Sequence, residues 1–156
     1  MRAAVEADIL ALSNVASASY RAGFAAILDA AELARRDQAS FMARFAAGLD
    51  RVRVAELDGA VVGFALATGQ HLDMLFVAPG AQGSGAGAAL LDDAVARGVC
   101  SMECFRANAA ARRFYERRGW VVTRGYARPF AGRVHEFVYY ERNSRPGQPG
   151  TGACAS

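Results

Sequence analysis

The chain has 156 residues, 53% of them apolar and 21% charged, with a net charge of +3. These are the values of one ordinary globular domain, long enough to bury a core without metal or disulfide support. No apolar run approaches the ~20 residues that span a bilayer, and no basic segment leads into an apolar one at the N-terminus. Neither a membrane partner nor a secretory signal is expected, and a cytoplasmic location follows by default.

All 18 basic residues are arginine, so no lysine-based mechanism is available. Three cysteines (Cys100, Cys104, Cys154) and two distant histidines (His71, His135) form neither a disulfide framework nor a zinc spacing. Cys100 and Cys104 fall in an apolar run and read as buried thiols. No metal is expected. Arg112, Arg113, Arg117 and Arg118 cluster closely, either as a solvated helix face or as an attraction for a polyanion. No aromatic–basic alternation accompanies them, and a nucleic-acid partner is not expected.

In chain order, a short strand at 2–5 is followed by a helix over 7–28, where Ile9, Leu12, Val15, Ala16 and Ser19 recur at helical spacing. A second helix over about 30–48 carries Leu33, Phe41, Met42 and Phe45. The period then changes. Val52 and Val54 alternate with Arg51, Arg53 and Ala55, the turn pair Asp58-Gly59 follows, and 61–67 returns as the second arm of a hairpin. A strand over 72–78 ends at Pro79-Gly80. A helix over 86–97 is closed by Gly98, a strand covers 99–105, and Asn108 caps a helix over 109–118. The last strands are 120–123 and 134–142, with a loop containing Pro129 and Gly132 between them. The order is mixed α/β (α+β) in a single domain over 1–142. The tail 143–156, rich in Gly, Pro and Ser, is expected to be disordered.

Between a strand and a helix lies Gln82-Gly83-Ser84-Gly85-Ala86-Gly87. Glycines let the backbone approach an anion, and the first helical turn supplies unpaired N–H groups. A P-loop would need a lysine that this chain lacks. A dinucleotide fingerprint fits Gly83-x-Gly85-x-x-Ala88, with Glu103 further on as the acidic residue. Against it, Pro79, Gly80, Ala81 and Gln82 separate strand from glycines, and too few residues remain for a doubly wound sheet.

The loop resembles the Q/R-x-x-G-x-G/A signature of the GNAT superfamily of N-acetyltransferases, through Gln82, Gly85 and Gly87. The preceding Leu75-Phe76-Val77-Ala78-Pro79 and the later block from Asn108 to Trp120, containing Tyr115 and Gly119, are similar to that family's flanking motifs. The resemblance implies a mixed, mostly antiparallel central sheet flanked by helices, with diverging strands four and five. It implies acetyl-CoA as acyl donor, held by the backbone of Leu75, Phe76 and Val77, by Gln82, Gly83, Ser84, Gly85, Ala86, Gly87 and Ala88, and by Asn108. A backbone N–H of strand four would stabilise the oxyanion of the tetrahedral intermediate, worth roughly 3–4 kcal/mol.

Tyr115 stands two helical turns after Asn108, on nearly the same side, and by the resemblance protonates the leaving thiolate. Two carboxylates compete as general base. Glu103 resembles in position the catalytic glutamate of ribosomal-protein alanine acetyltransferases, and Asp73 shares a strand face with Leu75 and Val77 if side chains alternate. The acceptor is an amine on a small molecule or peptide, its site shaped by Tyr20, Arg21 and Phe24 and by the segment from Arg128 to Arg133. A homodimer through the late strands is common in such folds. The competing readings are a dinucleotide-binding oxidoreductase module and a catalytically silent CoA-binding or interaction domain.

Overall fold

Helices precede Val52 and strands dominate after it, as the change of period predicts. The computed structural model describes residues 1–142, so the expectation about 143–156 lies outside the described residues. β1 (Arg2–Ala3) leads through one 3-10 turn into α1 (Ile9–Phe24). The helix expected over 30–48 is two helices, α2 (Ala30–Arg35) and α3 (Gln38–Gly48). Asp37 makes the break. It sits in extended conformation and its side chain accepts the Ser40 N–H at 2.9 Å, capping α3 as Asp29 caps α2 by accepting from Glu32.

The remaining elements are β2 (Val52–Leu57), β3 (Ala60–Thr68), β4 (His71–Val77), α4 (Ala86–Ala96), β5 (Ser101–Phe105), α5 (Ala109–Glu116), β6 (Trp120–Phe130) and β7 (Arg133–Arg142). They form a seven-stranded sheet in the order β1-β2-β3-β4-β5-β7-β6. Every neighbouring pair is antiparallel except β4 with β5. This is the mixed, mostly antiparallel sheet expected, and it lacks the run of parallel strands that a dinucleotide fold requires.

The sequence reading shortens β6, which continues past Thr123 to Phe130. Ala131 and Gly132, with φ of 52° and 87°, make a two-residue hairpin turn after the last pair, Phe130 with Arg133. Pro129 therefore lies in a strand, where its missing N–H costs nothing because β6 is the sheet's edge.

Each face of the sheet carries its own core. On one, α1 and α3 bury Leu12, Phe41 and Phe45 against Phe64, Leu66, Phe105 and Phe137. On the other, α4 brings Leu90 and Leu91 against Leu72, Met102, Trp120 and Tyr140. Burial of each such side chain contributes about 1.5–3 kcal/mol, which fixes the strands that frame the site. Period-two alternation sends Met102 and Cys104 of β5 to the α4 face and Phe105 to the α1 face, with Glu103 on Phe105's side. Cys104 is the buried thiol expected. Cys100 departs from that expectation, being half-buried. Among the described residues no helix is long and apolar enough to cross a membrane.

Candidate active site between the diverging strands

β4 and β5 pair only at His71 with Ser101 and Leu72 with Met102. β5 then follows β7 to Phe105, while β4 stays on β3 to Val77. The separation exposes the β5-facing backbone of β4 over Asp73 to Val77. It begins at a bulge: Leu66 pairs with Met74 but Ala67 with Leu72, so Asp73 is the extra residue. The bulge reverses the facing of the strand. Leu72, Leu75 and Val77 pack on the α4 side, and Met74 and Phe76 on the α1 side. Simple alternation, the basis for grouping Asp73 with Leu75 and Val77, therefore fails across this point. Asp73 is exposed and accepts a hydrogen bond from the Thr68 hydroxyl at 2.5 Å, which itself accepts from Arg51 at 2.6 Å.

A cleft of about 160 Å³ occupies the gap and is lined by both Asp73 and Glu103, by Leu75 and Phe76, and by Asn108 and Tyr115. Tyr115 packs in the α4-side core, whereas Tyr20, Phe24 and Phe105, which line the same cleft, belong to the α1-side core. The cleft thus passes through the sheet from one face to the other.

The Tyr115 ring is wedged against Tyr140 and Trp120, with centroids 6.0 and 6.4 Å away. Its hydroxyl has no hydrogen-bond partner among the described residues. Burial, reinforced by the neighbouring Cys104 and Tyr140, pushes this phenol above its ordinary range and keeps its proton in place. Burial likewise pushes the Cys104 thiol up to about 12. Asn108 accepts the Ala111 N–H at 3.2 Å through Oδ1, capping α5. Its amide nitrogen is left to donate elsewhere.

Glu103 is the centre of a charged network. Arg128 Nε donates to both its carboxylate oxygens at 3.0 Å, Arg128 Nη2 donates as well, and so does the Tyr126 hydroxyl. Burial alone would raise the Glu103 carboxyl. The bonds from Arg128 and Tyr126, with the guanidinium charge, outweigh that and hold it below the usual glutamate range. Tyr126, Arg128 and Phe130 reach the α1 face together because they alternate along β6. Sequence reasoning missed Tyr126, since the strand that carries it was cut short at Thr123. Arg128 joins the cleft, whereas Arg133 bonds Asp29 at 3.0 Å on the α2 side. His71 is half-buried, 2.9 Å from the Ser101 hydroxyl and stacked on Tyr139.

At the C-terminal end of β4, a 3-10 turn (Pro79–Ala81) passes through Gln82 into the glycine loop. Gly83 and Gly85 adopt φ of 85° and 86°, and Gly85 is the N-cap of α4 without a side-chain cap. Ala86 N–H reaches only the Ser84 hydroxyl, at 3.4 Å, and no acidic side chain occupies the first turn. The N–H groups of Ala86, Gly87 and Ala88 thus open a positive helix end into space. A Cβ at Gly83 or Gly85 would meet nothing within 4 Å, whereas one at Gly87 would touch Phe114 and Val77 at 3.6 Å. This cradle, continuous with the free edge of β4, fits a pyrophosphate with an extended arm. Two members of the arginine cluster serve α5 itself: Arg112 bonds the Tyr140 hydroxyl at 3.2 Å, and Arg118 lies 4.3 Å over Phe114. Among the described residues no group of His, Cys, Asp or Glu could hold a metal ion.

Comparison with known proteins agrees with this geometry. Residues 20–138 match the family model described as an acetyltransferase (GNAT) domain. A GCN5-related N-acetyltransferase from Rhodopseudomonas palustris superposes with a TM-score of 0.70 at 27% identity, covering 90% of this chain and 92% of that one. The apo form of YjaB from Escherichia coli gives 0.72 at 23%, covering 90% and 94%. The PaiA N-acetyltransferase from Thermoplasma acidophilum in complex with coenzyme A gives 0.64 at 17%, covering 90% and 96%. No curated protein matches the chain in sequence. With the family model spanning most of the chain and the diverging β4 and β5 in place, the protein belongs to the GNAT acetyltransferase family.

Proposed function

We propose that the protein transfers the acetyl group of acetyl-CoA to a primary amine by direct attack. The observation that carries this reading is the cleft itself, which joins the open edge of β4 to the unpartnered Tyr115 hydroxyl; the uncapped start of α4 follows β4 in the chain. Acetyl-CoA would supply an acetyl group activated as a thioester. The amides of Gly83 to Ala88, with Gln82 beside them, would hold its pyrophosphate. The backbone of Leu75 to Val77 would pair with its arm as with an added strand, and Asn108 would donate its side-chain amide.

The reacting atoms balance simply. The acceptor ammonium first gives one proton to solvent; the neutral nitrogen then forms a bond to the carbonyl carbon, the carbon–sulfur bond breaks, and the nitrogen loses a second proton as sulfur gains one. A β4 backbone N–H stabilises the oxygen as it becomes negative. Tyr115, kept protonated by burial, gives its proton to the departing sulfur. The nitrogen becomes strongly acidic once bonded to the acyl carbon, so a carboxylate can receive its proton. Asp73 takes that role, directly or through water, because it lines the cleft and among the described residues its one side-chain partner is the Thr68 hydroxyl. Glu103 is committed to Arg128 and Tyr126 and holds the acceptor end of the cleft in shape.

The test is release of free thiol from acetyl-CoA over a panel of amines and short peptides. Release that depends on an added amine supports the proposal. Stabilisation of the protein by NADH but not by acetyl-CoA would sink it, and acetyl-CoA binding without any release would favour a silent binding domain.

A further inference from the structure

The acceptor half of the cleft has a composition that selects among amines. Its walls on the α1 face are rings: Tyr20 and Phe24 from α1, Phe105 from β5, Phe130 and Phe137 from the hairpin. Tyr20 is 6% exposed, yet its hydroxyl has no hydrogen-bond partner among the described residues and its ring lines the cleft. Burial raises this phenol, so the hydroxyl stays a donor at neutral pH. The hydroxyl oxygen is not itself a buried orphan, since among the described residues Glu32 Oε1 is the side-chain atom in that condition; it opens on the cleft, where a ligand group can take the place of water.

Charge narrows the choice. Among the described residues the one cation lining the cleft is Arg128, and it is spoken for: Glu103 binds it, the Pro129 carbonyl accepts from Nη1 at 3.1 Å, and the guanidinium lies 4.1 Å over Phe137. Asp73 then leaves the lining with a net negative charge, which favours an ammonium and disfavours a carboxylate. The hairpin beyond the cleft is tied down as well. Arg133 bonds Asp29 at 3.0 Å, His135 lies 3.0 Å from the buried Glu32 carboxylate, and Arg36 sits 4.8 Å over Phe130. These contacts latch the β6–β7 hairpin onto α2 and hold the ring of Phe130 in the cleft wall. The whole cleft, its cofactor end included, measures about 160 Å³, so the acceptor half admits only a small body.

We infer that the acceptor is a small primary amine on a flat apolar body bearing one hydrogen-bonding group, of the arylalkylamine kind, and that Tyr20 reads that group. The inference rests on the acetyltransferase reading for its chemistry but on the α1-face walls for its specificity.

The experiment measures equilibrium binding, with coenzyme A present, of tyramine, 2-phenylethylamine, L-glutamate and an alanine tetrapeptide, to the wild type and to Tyr20→Phe. Substitution removes one oxygen and keeps the ring contacts, and an unchanged Tm verifies the fold. Both aryl amines should bind at least about tenfold more tightly than glutamate or the peptide. Tyramine's advantage over 2-phenylethylamine should be about fivefold, the worth of one hydrogen bond, and should vanish in Tyr20→Phe. Equal or tighter binding of glutamate or the peptide overturns the substrate class, as does failure of the aryl amines to bind. A tyramine preference that survives in Tyr20→Phe overturns the role of Tyr20. Thiol release is read separately: release with any amine keeps the transferase reading whatever the ranking, and its absence from all of them removes that reading without touching the binding order.

Discussion

The Arg128 guanidinium, brought in from the far end of β6, closes on the Glu103 carboxylate of β5 with Nε 3.0 Å from both oxygens. That contact sets the charge of the acceptor half of the cleft and holds the Glu103 carboxyl below the usual glutamate range.

Replacing Arg128 by Met should let the Glu103 carboxyl rise, since its main opposing influence, burial, would then act with less opposition. The wild-type carboxyl is depressed, so the pair's contribution to stability is complete above the ordinary glutamate pKa of ~4.3 and is lost as pH falls through the depressed value. Arg128→Met should cost about 1 kcal/mol near neutral pH, allowing for solvent screening. Urea unfolding of both forms should show that gap closing in acid. A side-chain carbon titration of Glu103 should move upward in the variant.

The two carboxylates separate by activity. Asp73→Asn should lower kcat by about 100-fold or more, the usual span of a proton-transfer group, whereas Glu103→Gln should act mainly on KM for the amine. Steady-state kinetics with one good acceptor reads both. The reverse pattern would return the base role to Glu103.

Gly85 and Gly87 should differ sharply although both lie in the same loop. Gly85→Ala forces an L side chain to φ of 86°, a strain of about 1–2 kcal/mol, and puts a methyl where the anion would sit. Gly87→Ala adds a methyl in ordinary contact with Phe114 and Val77 and improves helix propensity by about 1 kcal/mol. Thermal unfolding should show Gly85→Ala destabilised and Gly87→Ala unchanged or stabilised. Calorimetry should show at least about tenfold weaker acetyl-CoA binding for Gly85→Ala, equal to the loss of about 1.4 kcal/mol.

Much of this layout was legible in the residues, and the exceptions have local causes. Apolar periodicity placed α1 and α4, and the glycine loop read correctly as a strand-to-helix passage because its neighbours differ in period. Asp37 was overlooked as a cap, since the apolar positions on both sides of it keep a helical spacing that a single helix also satisfies. β6 was cut short because Pro129 and Gly132 read as a loop, although an edge strand tolerates the proline and the glycine serves only the hairpin turn. The bulge at Asp73 leaves no trace in the residue types, so facing could not be extrapolated through it. For the same reason the Glu103 network was invisible: its partners Tyr126 and Arg128 lay in the segment read as loop.

Removing a cap offers a plain check on the helix break. Asp37→Ala frees the Ser40 N–H that its side chain now satisfies and should lower stability by about 1 kcal/mol, with no change in acetyl-CoA affinity. Denaturant unfolding and calorimetry together would show it.

The central claim is that Tyr115 donates the proton which lets sulfur leave. Its measurement is kcat together with the acetyl-CoA Kd for wild type and Tyr115→Phe. The account predicts a kcat lowered by about 100-fold or more with Kd within about threefold of the wild type, because the ring keeps its place against Tyr140 and Trp120. Equal kcat for the two proteins, with the Kd unchanged, would contradict it.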